Sequence, residues 1–264
     1  MLKLQNISKT FYAGTVNEKQ AICSLNLQVN DGDFVTVIGS NGAGKSTLFQ
    51  LIAGTLFPDS GKIFMDGKDI TFVPEYRRAK QIGRIFQDPM KGTAPSMTVE
   101  ENMALAYAGE RKSIFSLGIG KKERELFREK LASLHLGLED RMKSPIGLLS
   151  GGQRQAISLL MATMSVPKLL LLDEHTAALD PKTAQQVLNL TKETVKSNRI
   201  STLMITHDIK TALSVGNRAI MMDDGEIIMD LQGEEREKMT VSALLDLFQK
   251  KGKEGTLSDR MLLQ

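Results

Sequence analysis

Gly39-Ser40-Asn41-Gly42-Ala43-Gly44-Lys45-Ser46-Thr47 says most about this chain's architecture. The stretch fits G-x-x-x-x-G-K-[ST], the pattern of a phosphate-binding loop. It follows the apolar run Phe34-Val35-Thr36-Val37-Ile38, which predicts a buried strand. It opens a helical pattern at Leu48, Leu51 and Ile52 that stops at Gly54. Strand, loop and helix in that order are the context the motif requires. The glycines let the backbone curl so that its N–H groups converge on an anion, and the helix N-terminus adds partial positive charge. Lys45 can then reach the outer phosphates of a nucleotide, and the Ser46 hydroxyl can hold Mg2+.

The 264 residues are enough for one large α/β domain, or one domain with a small lobe. Hydrophobic residues make up 41% of the chain, sufficient for a substantial core. The net charge of +3 is too weak to argue for nucleic acid. Cys23 is the only cysteine, so no disulfide can form within the chain, which agrees with a reducing compartment. The first residues, Met1-Leu2-Lys3-Leu4-Gln5-Asn6, lack the apolar core of a signal peptide. Pro167 and Lys168 interrupt the most apolar region, Ala156 to Leu172, so no bilayer-spanning helix is expected. The expectation is a soluble cytosolic protein, with any membrane role supplied by a partner.

Leu25, Leu27 and Val29 alternate with polar residues, as in a half-buried strand, and Asp31-Gly32 turns the chain toward Phe34. Asp66-Gly67 and Asp224-Gly225 each lie between short apolar runs and read as hairpin signals. Together they predict an antiparallel portion beside a nucleotide-binding core. From about Met90 to Ser165 the pattern turns helical. Thr98-Val99-Glu100-Glu101 matches a capping box, and Leu126, Phe127, Leu131 and Leu134 recur at helical spacing. Leu169 to Leu172 and Ser201 to Thr206 read as strands buried on both faces of a parallel sheet. Beyond Gly233 a charged stretch precedes Val241, Leu244, Leu245 and Phe248 on one helical face, and the residues from Gly252 read as loose and polar. The fourteen methionines, among them Met161, Met164, Met221 and Met222, read as core filling.

Two further stretches join the phosphate loop: Leu149-Ser150-Gly151-Gly152-Gln153, and Asp173-Glu174 directly after the apolar run Leu169–Leu172. Asp173 ends a buried strand at the edge where α/β sheets bind ligands, and a carboxylate there is costly to bury without a cation. With Gln87 in Ile85-Phe86-Gln87-Asp88-Pro89 and His207 after Thr206, the motifs follow one another as in an ATP-binding cassette ATPase. From about Leu2 to Leu231 the chain resembles the nucleotide-binding subunit of an ABC transporter. The resemblance implies an α/β fold, a P-loop NTPase (ABC ATPase) core with an antiparallel β subdomain and a helical subdomain. It places the ATPase domain at 1–232, its helical subdomain at about 90–165, and a C-terminal helical extension and tail at 233–264.

The resemblance also implies roles. Residues 39–47 and Lys45 bind the phosphates of ATP, while Ser46, Gln87 and Asp173 hold Mg2+, Asp173 through a coordinated water. Glu174 polarises the attacking water, and His207 contacts the γ-phosphate. Phe11 resembles the aromatic that stacks on adenine, with Tyr12 the competing candidate, since either ring offers the required face. Ser150, Gly151, Gly152 and Gln153 open a helix and make an anion site that, in the family, serves the opposite subunit of a head-to-tail dimer. Asp180 resembles the carboxylate that crosses that dimer interface. A membrane permease contacts the helical lobe, and an extracellular substrate-binding lipoprotein acts through the permease. The ATPase then sits peripherally on the cytoplasmic face of the membrane.

Departures from the family pattern are few: His175 stands where many relatives have proline, Ala177 where serine is frequent, and Ala156 where an arginine often follows the signature. The wording of Asp173–Asp180 and Gly216–Met222 is similar to bacterial importer ATPases assigned to tryptophan or other aromatic amino acids. Two other readings compete. One is a soluble ATP-driven switch, but cassette switches of that kind carry two cassettes or a long coiled coil. The other is a silent regulatory module, against which stand the intact Lys45, Glu174 and His207.

Overall fold

Alternating burial gives way to continuous burial along the first forty residues, and the change separates two kinds of sheet. In the computed structural model, which describes residues 1–108 and 118–251 and side chains as far as residue 247, Leu2–Phe11 (β1) and Lys19–Val29 (β2) pair antiparallel. Leu25, Leu27 and Val29 are buried, with exposed residues between them. Phe34–Gly39 (β3) is buried at all six positions. That is the signature of a strand with neighbours on both edges and cover on both faces.

Chain contacts group into two units, Met1–Ala79 with the chain from Ser201 onward, and Lys80–Ile200. In the first unit, β1 also pairs antiparallel with Ser60–Met65 (β4), which turns back into Lys68–Asp69 (β5), giving the order β2-β1-β4-β5. The same unit holds Lys45–Ala53 (α1) and the short helix Glu75–Arg78 (α2). Strand β3 lies parallel to Ser201–Ile205 (β8) on one side and to Arg218–Asp223 (β9) on the other. Glu226–Gln232 (β10) closes an antiparallel hairpin on β9. The unit also holds Ile209–Ser214 (α7), Gly233–Lys238 (α8) and Val241–Lys251 (α9).

The expected turns at Asp66-Gly67 and Asp224-Gly225 both close two-residue hairpins. Each puts an aspartate and a glycine at positive φ, 50° and 75° in the first and 45° and 81° in the second, as the tight right-twisted hairpin turn demands. Asp31-Gly32 instead carries the chain from one sheet to the other. Leu244 of α9 is fully buried in a cluster with Ile38, Ala212, Met221 and Leu231, so this helix packs on the core. The Phe248 side chain and the residues from Gly252 lie outside what is described.

In the second unit, Ile82–Ile85 (β6) and Leu169–Asp173 (β7) run parallel in register, Ile85 opposite Leu172. Val99–Tyr107 (α3), Lys121–Ala132 (α4), Gly151–Thr163 (α5) and Pro181–Asn198 (α6) are its α-helices among the described residues. Thr98 caps α3 as its sequence predicts: its Oγ1 accepts from Glu101 N, while Glu101 Oε2 accepts from Thr98 N at 2.7 Å. Val99, Met103, Phe127, Leu131, Ala156 and Ile157 belong to the lobe's buried apolar core. Among the described residues no helix is long and apolar enough to cross a membrane.

Candidate functional site

The phosphate loop takes its shape from where its backbone must pass. Gly39 has φ +152°, and a Cβ there would sit 2.2 Å from Met222 O. Gly44 has φ +96°, and a Cβ there would meet Ala21 O at 2.4 Å. Only glycine fits either place. The turn after β9 braces the loop from outside, because Gly225 N donates to Ala43 O (3.2 Å) and Cys23 N to Gly225 O (3.0 Å). Ser40 Oγ donates to Asp223 Oδ1 at 3.3 Å. Lys45, the first residue of α1, is nearly buried, and its ammonium donates to Gly39 O (2.7 Å) and Ser40 O (2.8 Å). The cation is therefore held inside the curl of the loop. Asn41, Gly42 and Ser46 are exposed, and Ala43 and Gly44 buried, with Thr47 between.

The far end of α1 is held by a residue the sequence reading did not single out. Arg78 is 3% exposed, and its guanidinium donates to Leu51 O and Ile52 O, both at 2.8 Å, and to Val73 O and Thr71 O. Burial pushes its pKa down to about 10. A cation on the last carbonyls of a helix complements the helix dipole. Nothing local in Tyr76-Arg77-Arg78 distinguishes this arginine from its exposed neighbour.

Phe11, Tyr12 and His207 belong to the same unit. Phe11 ends β1 half-buried, opposite Lys19 in the ladder, with the Lys9 ammonium 6.0 Å from its ring centre. Tyr12 is 71% exposed and takes a positive φ of 53°. His207 follows β8, where Thr206 N donates to Val37 O of β3, so it leaves the sheet at the same carboxyl edge as the phosphate loop. Asp208 then caps α7, accepting from Lys210 N at 2.9 Å.

The remaining predicted residues lie in the Lys80–Ile200 unit, in two clusters. In the first, Gln87 Nε2 donates to Glu174 Oε2 at 3.2 Å, just past the carboxyl ends of β6 and β7. Asp173 is the last residue of β7 and half-buried. Glu174 has φ +44°, a backbone state that non-glycine residues adopt at a cost and that recurs at functional sites. His175 turns the other way, into the lobe. It is 3% exposed, and its Nε2 lies 3.2 Å from Thr191 Oγ1 of α6.

In the second cluster, Ser150 caps α5. Its Oγ accepts from Gln153 N at 3.3 Å, while Gln153 Oε1 accepts from Ser150 N at 3.2 Å. Ser150-Gly151-Gly152-Gln153 is thus itself an S-x-x-Q capping box, a signal in plain view that the anion-site reading passed over. Asp180 is the N-cap of α6, accepting from Thr183 N at 3.1 Å, with Pro181 at the first helical position. The hydrogen bonds from Thr183 hold the Asp180 carboxyl below its ordinary range. The signature glycines face this second cap: a Cβ on Gly151 would come 3.0 Å from Leu179 Cδ2, and one on Gly152 would come 2.1 Å from Thr183 Cγ2. The turn from Glu174 to Asp180 joins the two clusters.

Residues 22–177 match the family described as ABC transporter. A tyrosine transport ATP-binding protein of Clostridioides difficile (strain R20291) is 42% identical over 249 residues, covering 94% of this chain and 99% of its own length. The methionine import ATP-binding protein MetN of Vibrio vulnificus (strain YJ016) is 35% identical over 233 residues, which is 86% of this chain and 64% of that protein, so the chain spans under two thirds of this relative. Among solved structures, the dimeric post-hydrolysis state of the ATP-binding cassette MJ0796 bound to ADP and Pi superposes with a TM-score of 0.75. It is 30% identical, covering 88% of this chain and 98% of its own.

Proposed function

The chain belongs to the ABC transporter family and is an ATPase of that family; from this premise and its site we infer that it powers a bacterial importer of an aromatic amino acid, tyrosine or tryptophan. The name of the tyrosine transport relative, similar over nearly the whole of both chains, supports the cargo. The import relative supports the direction. The carrying observation for catalysis is the Gln87–Glu174 hydrogen bond at the carboxyl edge of β6 and β7.

In this reading the chain's own groups act mainly by position and charge, as phosphoryl transfer to water requires. The N–H groups of residues 39–47 and the Lys45 ammonium offset charge on the β- and γ-phosphates of ATP, Lys45 exchanging loop carbonyls for phosphate oxygens. Glu174 orients the attacking water and accepts its proton, and Gln87 fixes the Glu174 carboxylate. His207 reaches the γ-phosphate. Phe11 or Tyr12 stacks on adenine. Ser46, Gln87 and Asp173 would hold Mg2+; their donors are all oxygen, which suits this hard cation. The ion would neutralise phosphate charge. Ser150–Gln153 and Asp180 serve a second copy of the chain, whose ATP they cover. A separate permease and a substrate-binding lipoprotein complete the transporter, the ATPase lying on its cytoplasmic side.

Glu174→Gln is expected to keep ATP affinity, lose at least ~100-fold in turnover as expected for removal of a positioned general base, and accumulate as an ATP-bound dimer in light scattering. Lys45→Ala is expected to lose ATP binding. Full turnover by Glu174→Gln would overturn the catalytic assignment. Tyrosine or tryptophan uptake by vesicles containing the assembled transporter tests the cargo, and uptake of neither overturns it.

A further inference from the structure

Lys19 opens β2, directly opposite Phe11 in the antiparallel ladder. Its side chain reaches the phosphate loop. A Cβ built on Gly42 would come 3.1 Å from Lys19 Nζ, so this ammonium stands over the exposed middle of the loop, in space that a side chain at position 42 would take. Gly42 has φ +86°, which independently requires glycine. Lys45 occupies the inside of the curl, nearly buried against Gly39 O and Ser40 O. Lys19 is exposed and approaches from the solvent side. The adjacent carboxylate, Glu18, is turned toward the preceding loop, accepting from Gly14 N at 2.6 Å. Helix α1 has no acidic residue in its first turn to compete for the cation.

We propose that Lys19 is a second phosphate-binding cation of the nucleotide site, contacting the polyphosphate chain while its ladder partner Phe11 lies on the base side. The proposal rests on the ATP-binding role of the loop. It extends that role to a residue outside the phosphate-loop motif. One antiparallel residue pair then carries both a ring and a charge for the same ligand. The charge is solvent-exposed, so its contribution is modest and screened by salt.

The test is calorimetric titration of the full-length protein with ATP, ADP and inorganic triphosphate, for the parent, Lys19→Gln and Lys19→Arg. Lys19→Gln is expected to weaken all three by about fivefold at low ionic strength, the upper range for an exposed ion pair. The gap should shrink on adding salt, Lys19→Arg should restore affinity, and the nucleotide-free melting temperature should not move. Parent-like affinity in Lys19→Gln overturns the proposal. So does a loss for ATP without a loss for inorganic triphosphate, which would put the lysine on the sugar or base. If the parent binds none of these ligands, or Lys45→Ala binds as the parent does, the reading of the loop itself fails.

Discussion

His175 shows how one departure from a family pattern carries physical weight. Its imidazole is enclosed, and burial pushes its pKa from 6.5 down to about 4. The unfolded chain takes up a proton near the ordinary histidine pKa, whereas the folded chain refuses it until about pH 4. The corresponding stability is fully present above pH 6.5 and is lost as pH falls toward 4, by roughly 3 kcal/mol. Denaturant unfolding of the nucleotide-free protein between pH 7 and 4.5 is expected to show a steeper decline for the parent than for His175→Gln. Equal slopes would mean that the imidazole is hydrated or charged in the folded state. At this scale the sequence was uneven. Residues 39–47 were legible because the glycines, lysine and hydroxyl that a phosphate-cradling loop needs all fall within nine consecutive positions. Arg78, Lys19 and the Ser40–Asp223 contact were not. Their partners lie on other elements, and a lone arginine, lysine or aspartate has no spacing to betray it.

The helices show the same division. The start and stop of α1 follow from local chemistry, a glycine-rich entry and Gly54 at φ +83°. The capping boxes of α3 and α5 are likewise written in four consecutive residues. The packing of α5 on the start of α6 is not. It depends on Gly152 meeting Thr183, which a motif reading treats as unrelated positions. Thr183 cannot easily yield, since its N–H is tied to the Asp180 cap. Gly152→Ala is therefore expected to destabilise the protein by about 1–3 kcal/mol through overpacking, and Thr183→Ser, which removes the obstructing methyl, to recover part of that loss. Chemical denaturation of the parent, Gly152→Ala and the Gly152→Ala/Thr183→Ser double variant measures it. Absence of rescue would place the strain elsewhere. The capping roles of Ser150 and Asp180 also mean that mutating either changes a helix end as well as any contact with nucleotide, so activity alone cannot assign their function.

At the scale of the whole molecule, the chain's two ends build one unit and its middle builds the other. The α/β character and the helical middle were readable because periodicity is local. The pairing of β3 with β8 and β9 was not, because strand order depends on which buried runs find each other across the full sequence. In the importer reading, we propose that a permease would contact the segment from Gln87 to Met97. There Asp88 organises a turn through Met90 N at 2.9 Å and Lys91 N at 3.1 Å, and Met90 and Met97 remain half-exposed. Met90→Glu is expected to abolish uptake while leaving ATPase activity of the isolated subunit intact. Uptake at the parental rate would move the contact elsewhere.

The hairpin at Asp224-Gly225 carries a lesson for genomes. It supplies a brace to a motif encoded well over a hundred codons upstream. A gene fragment that stops short of Arg218 would spell every letter of that motif and still lack the backbone that gives it form. Truncated copies of such genes are better judged by whether they retain this distant support than by the signature they display.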